Sequence, residues 1–349
     1  MTLLRQNLAM DFDPGAASAP DSGIFGLPHG PEDARVHVRG VPFEATTSYR
    51  AGTARAPEAV QAASRQIDLF DLRFGRPYEA GIWMAPVDAE VRAWSEEARA
   101  LALPIIAQGG AGPEDSGAVA RVDELGARVN ERVRRGAIEA LDAGKLPVLV
   151  GGDHSTPFGQ IAACAERAPG LGVLQFDAHA DLRPAFEGLR WSHASILDNV
   201  LRECDGVAAL VQVGIRDLSE EEFDAAANEP RVRMLTDVDL GRAREESRTR
   251  ALAREAIAEL PDDVYVTFDV DALEPSLCPN TGTPVPGGLS WAETMVWLEE
   301  LRASGKRVVG LDLVEVSPGL EWNESAGDAW DAIVGARLLY RLIGAALGD

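Results

Sequence analysis

Aspartate and histidine residues are concentrated at the ends of two predicted strands, with a spacing that favours metal binding. Side chains alternate in direction along an extended chain, so residues two positions apart point to the same side. Each group is therefore expected to present its ligand atoms together. The residues are Asp177, His179 and Asp181 after the strand at 171–176, and Asp269 and Asp271 at the end of the strand at 264–270.

Two further predicted strands carry ionisable residues at their ends. The strand at 146–150 leads into Gly151-Gly152-Asp153-His154-Ser155, and the strand at 307–316 contains Glu315. In open parallel sheets, functional groups collect at the carboxyl ends of the strands. We therefore expect His154 to join the five residues above as a sixth ligand, with Glu315 at the same end of the sheet.

Four carboxylates in one small cleft would repel one another and bind protons, so this arrangement requires cations. Six ligands are too many for one tetrahedral zinc and too few for two separate octahedral ions, but two bridging carboxylates would complete a site for two ions. Two imidazoles with four carboxylates suit Mn, Ni, Co or Fe(II). The alternative for an isolated His–Asp pair is a structural hydrogen bond, but burying the whole set without a cation would be costly.

Strands and helices alternate along the chain, and this alternation predicts βαβ units. We therefore expect an α/β fold, a three-layer α/β/α sandwich with a mostly parallel central sheet. An irregular N-terminal arm is expected at 1–35, and a single catalytic domain at 36–349. The clearest helix signals are Pro57 in a first turn, the run 117–142, the S-x-x-E capping boxes that begin at Ser219 and Ser290, and the run 330–347.

The composition excludes several classes of partner. The chain has 349 residues and a formal net charge of -23, so most of its surface would repel a nucleic-acid backbone or an anionic membrane. No apolar run approaches the roughly 18 residues of a membrane span. Three widely spaced cysteines do not form a disulfide framework, so a cytoplasmic location is expected.

Four segments together resemble the motifs of the ureohydrolase superfamily, which includes arginase and agmatinase. They occur in the family's order over about residues 35–347, and the loop Thr281–Pro284 is similar to the family's substrate-side loop. The resemblance implies an arginase-like fold and hydrolysis of a guanidino compound to urea and an amine or ammonia. The four segments are Gly151–Ser155, Phe176–Asp181, Thr267–Pro275 and Val314–Val316.

The resemblance also implies a role for each site residue. Two divalent ions, Mn²⁺ or Ni²⁺, would supply a water of lowered pKa as the nucleophile. His193 matches the family's proton-shuttle histidine, and Glu315 is the candidate to orient the cationic guanidinium. The family further suggests a homo-oligomer, a trimer or hexamer. One ion would be held by His154, Asp177, Asp181 and Asp269, and the other by Asp177, His179, Asp269 and Asp271, with Asp177 and Asp269 as bridges.

The substrate-side sequence departs from the arginase pattern. Arginases hold an α-amino acid with a polar loop before the shuttle histidine, whereas this chain has the bulky segment 186–191. That segment resembles an agmatinase-like subgroup that includes guanidine hydrolases, and Trp191 and Trp322 are expected to close a small pocket. A small cationic guanidino substrate, agmatine or guanidine, is favoured. The alternatives are guanidinobutyrase, arginase or formimidoylglutamase activity, a silent subunit supporting an active paralogue, and two-metal phosphoester hydrolysis.

Overall fold

The computed structural model describes residues 12–19, 21–323 and 329–348. Within them, eight strands form one sheet in the order β2-β1-β3-β8-β7-β4-β5-β6, and every neighbouring pair is parallel. The strands are β1 (Val36–Gly40), β2 (Ile82–Met84), β3 (Leu146–Val150), β4 (Leu171–Phe176), β5 (Val207–Ile215), β6 (Val232–Thr236), β7 (Asp263–Asp269) and β8 (Arg307–Val314).

Helices cover both faces of the sheet. On one face α2, α3, α4 and α5 pack side by side, and on the other α1, α10, α9, α8 and α7 do so. This arrangement confirms the predicted α/β/α sandwich. The helices are α1 (Ala56–Ser64), α2 (Ala89–Ala107), α3 (Ser116–Asp142), α4 (Phe158–Arg167), α5 (Ile196–Glu203), α6 (Glu220–Asn228), α7 (Asp237–Glu245), α8 (Thr249–Ala258), α9 (Trp291–Ala303) and α10 (Trp330–Ala346).

The helix signals in the sequence correspond to real helix starts. Ser219 and Glu222 form a reciprocal capping box at the start of α6, and Ser290 and Glu293 form one at the start of α9. Pro57 lies in the first turn of α1, where its missing N–H costs nothing. None of the helices in the described part of the chain is long and apolar enough to cross a membrane.

The described part of the arm packs against the sheet domain. It contains no strand or α-helix, but Ile24, Phe25 and Leu27 are buried in the main hydrophobic core. The backbone N–H of Phe25 donates to Ser64 Oγ over 2.8 Å, and its ring meets Tyr340 at a centroid distance of 5.0 Å. These residues therefore contribute to the core, while the domain boundary at residue 36 stays a prediction.

Candidate metal centre and substrate pocket

The predicted site residues meet at the carboxyl edge of four adjacent strands. In the sheet, β3, β8, β7 and β4 are consecutive neighbours, although they are far apart along the chain. Residues that follow their ends therefore lie side by side, as expected for a parallel sheet. The structure brings all six predicted ligands together at this edge.

The first group of ligand atoms surrounds the His154 imidazole. Its Nδ1 lies 2.9 Å from Asp177 Oδ2, 3.0 Å from Asp181 Oδ2 and 3.5 Å from Asp269 Oδ2. Nδ1 is buried and forms no hydrogen bond with any described residue. A buried ring nitrogen that faces three carboxylates without a hydrogen bond fits a metal cation, because polar atoms shielded from water otherwise find partners.

The second group surrounds His179 and shares one residue with the first. His179 Nδ1 lies 3.0 Å from Asp271 Oδ2 and 3.6 Å from Asp177 Oδ1. Asp177 thus turns Oδ2 towards the His154 group and Oδ1 towards the His179 group. Both sets, His154 with Asp177 and Asp181, and Asp177 with His179 and Asp271, are close enough to hold an ion.

The side chains converge through turns rather than through strand alternation. Strand β4 ends at Phe176, and Asp271 lies in a 3-10 helix at Val270–Ala272, so the expected period-two strand geometry is wrong at these positions. Instead, Asp177 Oδ1 accepts from the His179 N–H over 2.7 Å, and Asp269 Oδ1 accepts from the Asp271 N–H over 2.8 Å. These aspartate turns curl the chain so that residues two apart meet.

The backbone is strained at two site residues. Asp181 has φ 54° and Glu315 has φ 61°, in the left-handed region that non-glycine residues rarely adopt. Such conformations persist only where the surrounding structure enforces them, and they concentrate at functional sites.

The carboxylates in the site differ in their proton affinity. Burial, followed by the charge of Asp177, raises the pKa of Asp181 to about 7. Burial and the charges of Asp271 and Asp177 raise the pKa of Asp269. Burial acts the same way on Asp177, but the nearby His154 and His179 imidazoles outweigh it and lower the pKa of that carboxyl. Without a cation, the cluster therefore holds protons at neutral pH.

Glu315 presents a free carboxylate oxygen beside the predicted substrate-side loop. Its Oε1 accepts from the His154 backbone N–H over 2.9 Å, whereas its Oε2 is buried and forms no hydrogen bond with a described residue. A Cβ at Gly282 would lie 3.4 Å from Oε2, so this oxygen faces the loop Thr281–Pro284. Burial, followed by the charge of Asp153, raises the pKa of Glu315.

His193 lies next to the ligand groups in a defined orientation. It begins a 3-10 helix at His193–Ser195, and its backbone N–H donates to Thr46 Oγ1 over 3.1 Å. Its Nδ1 is 3.2 Å from the same hydroxyl. Burial and the charges of His179 and His154 lower the pKa of His193 to about 3. In the absence of bound ions, the ring is therefore neutral at physiological pH.

A cavity of about 150 Å³ adjoins the ligand groups, and its walls include His179, Asp181, Phe186, His193 and Asp217. Phe186 meets the His193 ring edge-on at 6.0 Å. The sequence did not point to Phe186 or Asp217 individually. Asp217 follows the end of β5, so the rule used for the other strand ends could have identified it.

The expected positions of two tryptophans are wrong. Trp191 packs on Phe158 at 4.8 Å and against Gly126 of α3, and Trp322 packs against the main core, so neither is among the residues lining the cavity. Phe186, from the same segment 186–191 as Trp191, lines the cavity instead. Cys278 is buried in the main core.

Comparisons with known proteins agree with this geometry. The arginase family model matches residues 34–344. The N(1)-aminopropylagmatine ureohydrolase of Thermus thermophilus is 33% identical over 92% of this chain and 94% of its own length. The agmatine ureohydrolase structure of Thermoplasma volcanium has a TM-score of 0.70 at 24% identity, covering 93% of this chain and 94% of that one. Proclavaminate amidino hydrolase of Streptomyces clavuligerus has a TM-score of 0.68 at 27% identity, covering 95% and 99%.

The fold, the site and these likenesses define a hydrolase that acts on carbon–nitrogen bonds of amidines. The chain belongs to the arginase family.

Proposed function

We propose that this chain hydrolyses a small cationic guanidino compound, agmatine or guanidine, at a centre of two divalent ions and releases urea with an amine or ammonia. The observation that carries the proposal is a pair of buried atoms without hydrogen bonds at one edge of the sheet, Glu315 Oε2 and His154 Nδ1. The first fits a cationic substrate group and the second a metal cation.

The ion-binding residues are assigned from the two groups described above. His154 and Asp181 belong to one ion, His179 and Asp271 to the other, and Asp177 faces both. Asp269 Oδ2 lies 3.5 Å from His154 Nδ1, and Asp269 is assigned as the second bridge from the family resemblance. Bound there, Mn²⁺ or Ni²⁺ supplies a nucleophile from water at neutral pH and neutralises the four carboxylates.

The remaining steps belong to residues of the chain itself. Glu315 binds the guanidinium and fixes the orientation of its planar carbon, since a desolvated carboxylate pairs well with such a cation. His193 lines the cavity, and its neutral ring accepts a proton from water and passes it to the leaving nitrogen. The Thr46 hydroxyl accepts from the His193 backbone N–H and also contacts His193 Nδ1, so it limits rotation of the imidazole.

The cavity supports a short cationic tail on the substrate. Its volume of about 150 Å³ corresponds to roughly five water molecules at ~30 Å³ each. Asp217 contributes an exposed carboxylate to the wall, and the cation Arg183 in the same wall is paired with Glu222 at 3.2 Å. A charged amine on the substrate tail therefore pairs with Asp217. A carboxylate on the tail is repelled by the acidic side chains of the wall and by the net charge of -23.

Urea release from matched substrates tests the proposal. Agmatine and 4-guanidinobutyrate differ in the charge of the tail, agmatine and arginine differ by one carboxylate, and N(1)-aminopropylagmatine extends the tail. Agmatine or guanidine should have the highest kcat/KM in Mn- or Ni-loaded protein. Arginine or 4-guanidinobutyrate as the best substrate would contradict the substrate assignment, and no urea from any of them would contradict the proposed activity.

The variant Asp217→Asn tests binding of the substrate tail independently of binding of the guanidinium group. The variant should lower kcat/KM for agmatine and leave guanidine hydrolysis unchanged, because guanidine has no tail to bind. Equal losses for both substrates would show that Asp217 does not bind the tail.

A cytoplasmic location and a homo-oligomeric assembly complete the proposal.

A further inference from the structure

Four polar side chains form a row across the sheet, directly below the ligand groups. The pairing registers place Asp312 opposite Thr267, Thr267 opposite Gln175, and Gln175 opposite Gln212, on β8, β7, β4 and β5. All four are fully buried. Strands covered on both faces are normally continuous apolar runs, so a polar row at this depth needs a specific reason.

One half of the row leads to Asp177. Gln212 Nε2 donates to Gln175 Oε1 and to the Ala180 carbonyl, both over 2.7 Å. Gln175 Nε2 in turn donates to Asp177 Oδ2 over 2.8 Å. Gln212 thus fixes which end of the Gln175 amide faces the aspartate, and that end is the donor.

The other half leads to His154. The Thr267 hydroxyl donates to Asp312 Oδ1 over 2.9 Å, so it accepts from His154 Nε2, 2.8 Å away. This places the ring proton on Nε2 and leaves the Nδ1 lone pair directed at the carboxylates. The two halves therefore act on the two residues that meet at 2.9 Å in the first ligand group.

We infer that Gln175 and Gln212 are positioning residues that make Asp177 a bridging ligand, by holding Oδ2 in the His154 group so that Oδ1 is left for the His179 group. The His179 N–H holds only Oδ1, and the terminal torsion of an aspartate has a broad energy minimum. Without the Gln175 donor, Oδ2 would therefore be free to tilt away from the His154 group. A charge-assisted amide hydrogen bond opposes this tilt. The inference rests on the proposed two-ion centre.

Titration of the full-length, metal-free protein with MnCl₂ tests this assignment. Calorimetry measures the number and affinity of bound ions, and electron paramagnetic resonance detects magnetic coupling between two bridged Mn²⁺ ions. In Gln175→Leu, which has similar volume but no donor, the weaker ion should bind roughly 10- to 100-fold less tightly. The coupled signal should also decrease relative to the wild type at equal occupancy.

Gln160→Leu is the matched control. Gln160 is also a buried glutamine, and its Nε2 donates to Tyr265 Oη and the Leu311 carbonyl away from the ligands. It should keep both ions and the coupled signal. If Gln175→Leu fails to fold, Gln212→Leu serves instead. It leaves the Gln175 donor in place and removes the support of the Gln175 amide, together with the bond to the Ala180 carbonyl, so both readouts should change in the same direction by a smaller factor.

If Gln175→Leu keeps the wild-type ion affinities and magnetic coupling, the positioning role is overturned and the proposed function stays intact. The same outcome in Gln212→Leu has the same meaning where that variant is used instead. A wild type that binds only one ion would instead contradict the two-ion centre itself. The two failures are therefore distinguishable.

Discussion

The His154 group and the His179 group contain the same kinds of ligand but differ in their surroundings. The His154 side chain is 1% exposed and its second nitrogen bonds to Thr267, whereas the His179 side chain is 25% exposed and lines the cavity. The comparison predicts a division of labour. We expect the enclosed group to bind its ion more tightly and the open group to contact substrate and exchange with solvent.

Loss of the residue common to both groups should have the largest effect. Asp177→Asn removes a buried charge that faces His154 and His179, and breaking such a buried charge arrangement costs about 3–5 kcal/mol. We expect both ions to bind weakly and urea release to fall by roughly two to four orders of magnitude. Metal analysis after gel filtration is the check, and two tightly bound ions in the variant would show that the groups are independent.

Glu315→Gln should separate substrate binding from ion binding. The variant retains the shape of the side chain but loses a desolvated charge pair worth about 2–5 kcal/mol. Both ions should remain, and kcat/KM should decrease accordingly. Loss of an ion would make Glu315 a metal ligand instead.

His193→Asn should have a smaller effect again. It removes the proton donor at the open group, so kcat should fall roughly 10- to 1,000-fold, with both ions still bound. A variant with full kcat at every pH tested would exclude the shuttle role.

The protonation of the ion-free site should appear as a pH dependence of stability. The pKa of Asp181 is raised to about 7, and the pKa values of His154 and His179 are also raised because neighbouring carboxylates outweigh the effect of burial. A group with a raised folded-state pKa stabilises the fold at low pH and loses that contribution as pH rises through the raised value. His193 has the opposite shift, but its contribution changes only below its unfolded pKa of about 6.5.

Between about pH 6.5 and pH 8, the metal-free protein should therefore become less stable, by about 1.4 kcal/mol per pH unit for each proton that the folded state still holds and the unfolded state has lost. Thermal unfolding with and without chelator measures this change. The gap in Tm between ion-loaded and ion-free protein should widen as pH rises, and a constant gap would mean that the cluster holds no protons.

The central strands were predictable and the outer ones were not. Strands β3, β4, β7 and β8 are apolar runs bounded by turn residues, so they stand out in the sequence. Strands β1, β2 and β6, at or next to the sheet edges, were not predicted. They are short, and they contain partly exposed residues such as His37, Trp83 and Arg233, because strands at or next to a sheet edge have fewer neighbouring elements around them.

Residue types and their spacing were enough to predict the candidate site: six metal-type ligands, a histidine and a glutamate near them, and the alternation that produces a parallel sheet. These features are local, because spacing and residue type act within a few positions of the chain. Three features required the folded structure: that β3, β8, β7 and β4 are neighbours, that Phe186 rather than Trp191 lines the cavity, and that Gln212 reaches Asp177 through Gln175. The order of strands and the direction of a side chain depend on crossovers and packing between distant segments, and no local spacing contains that information.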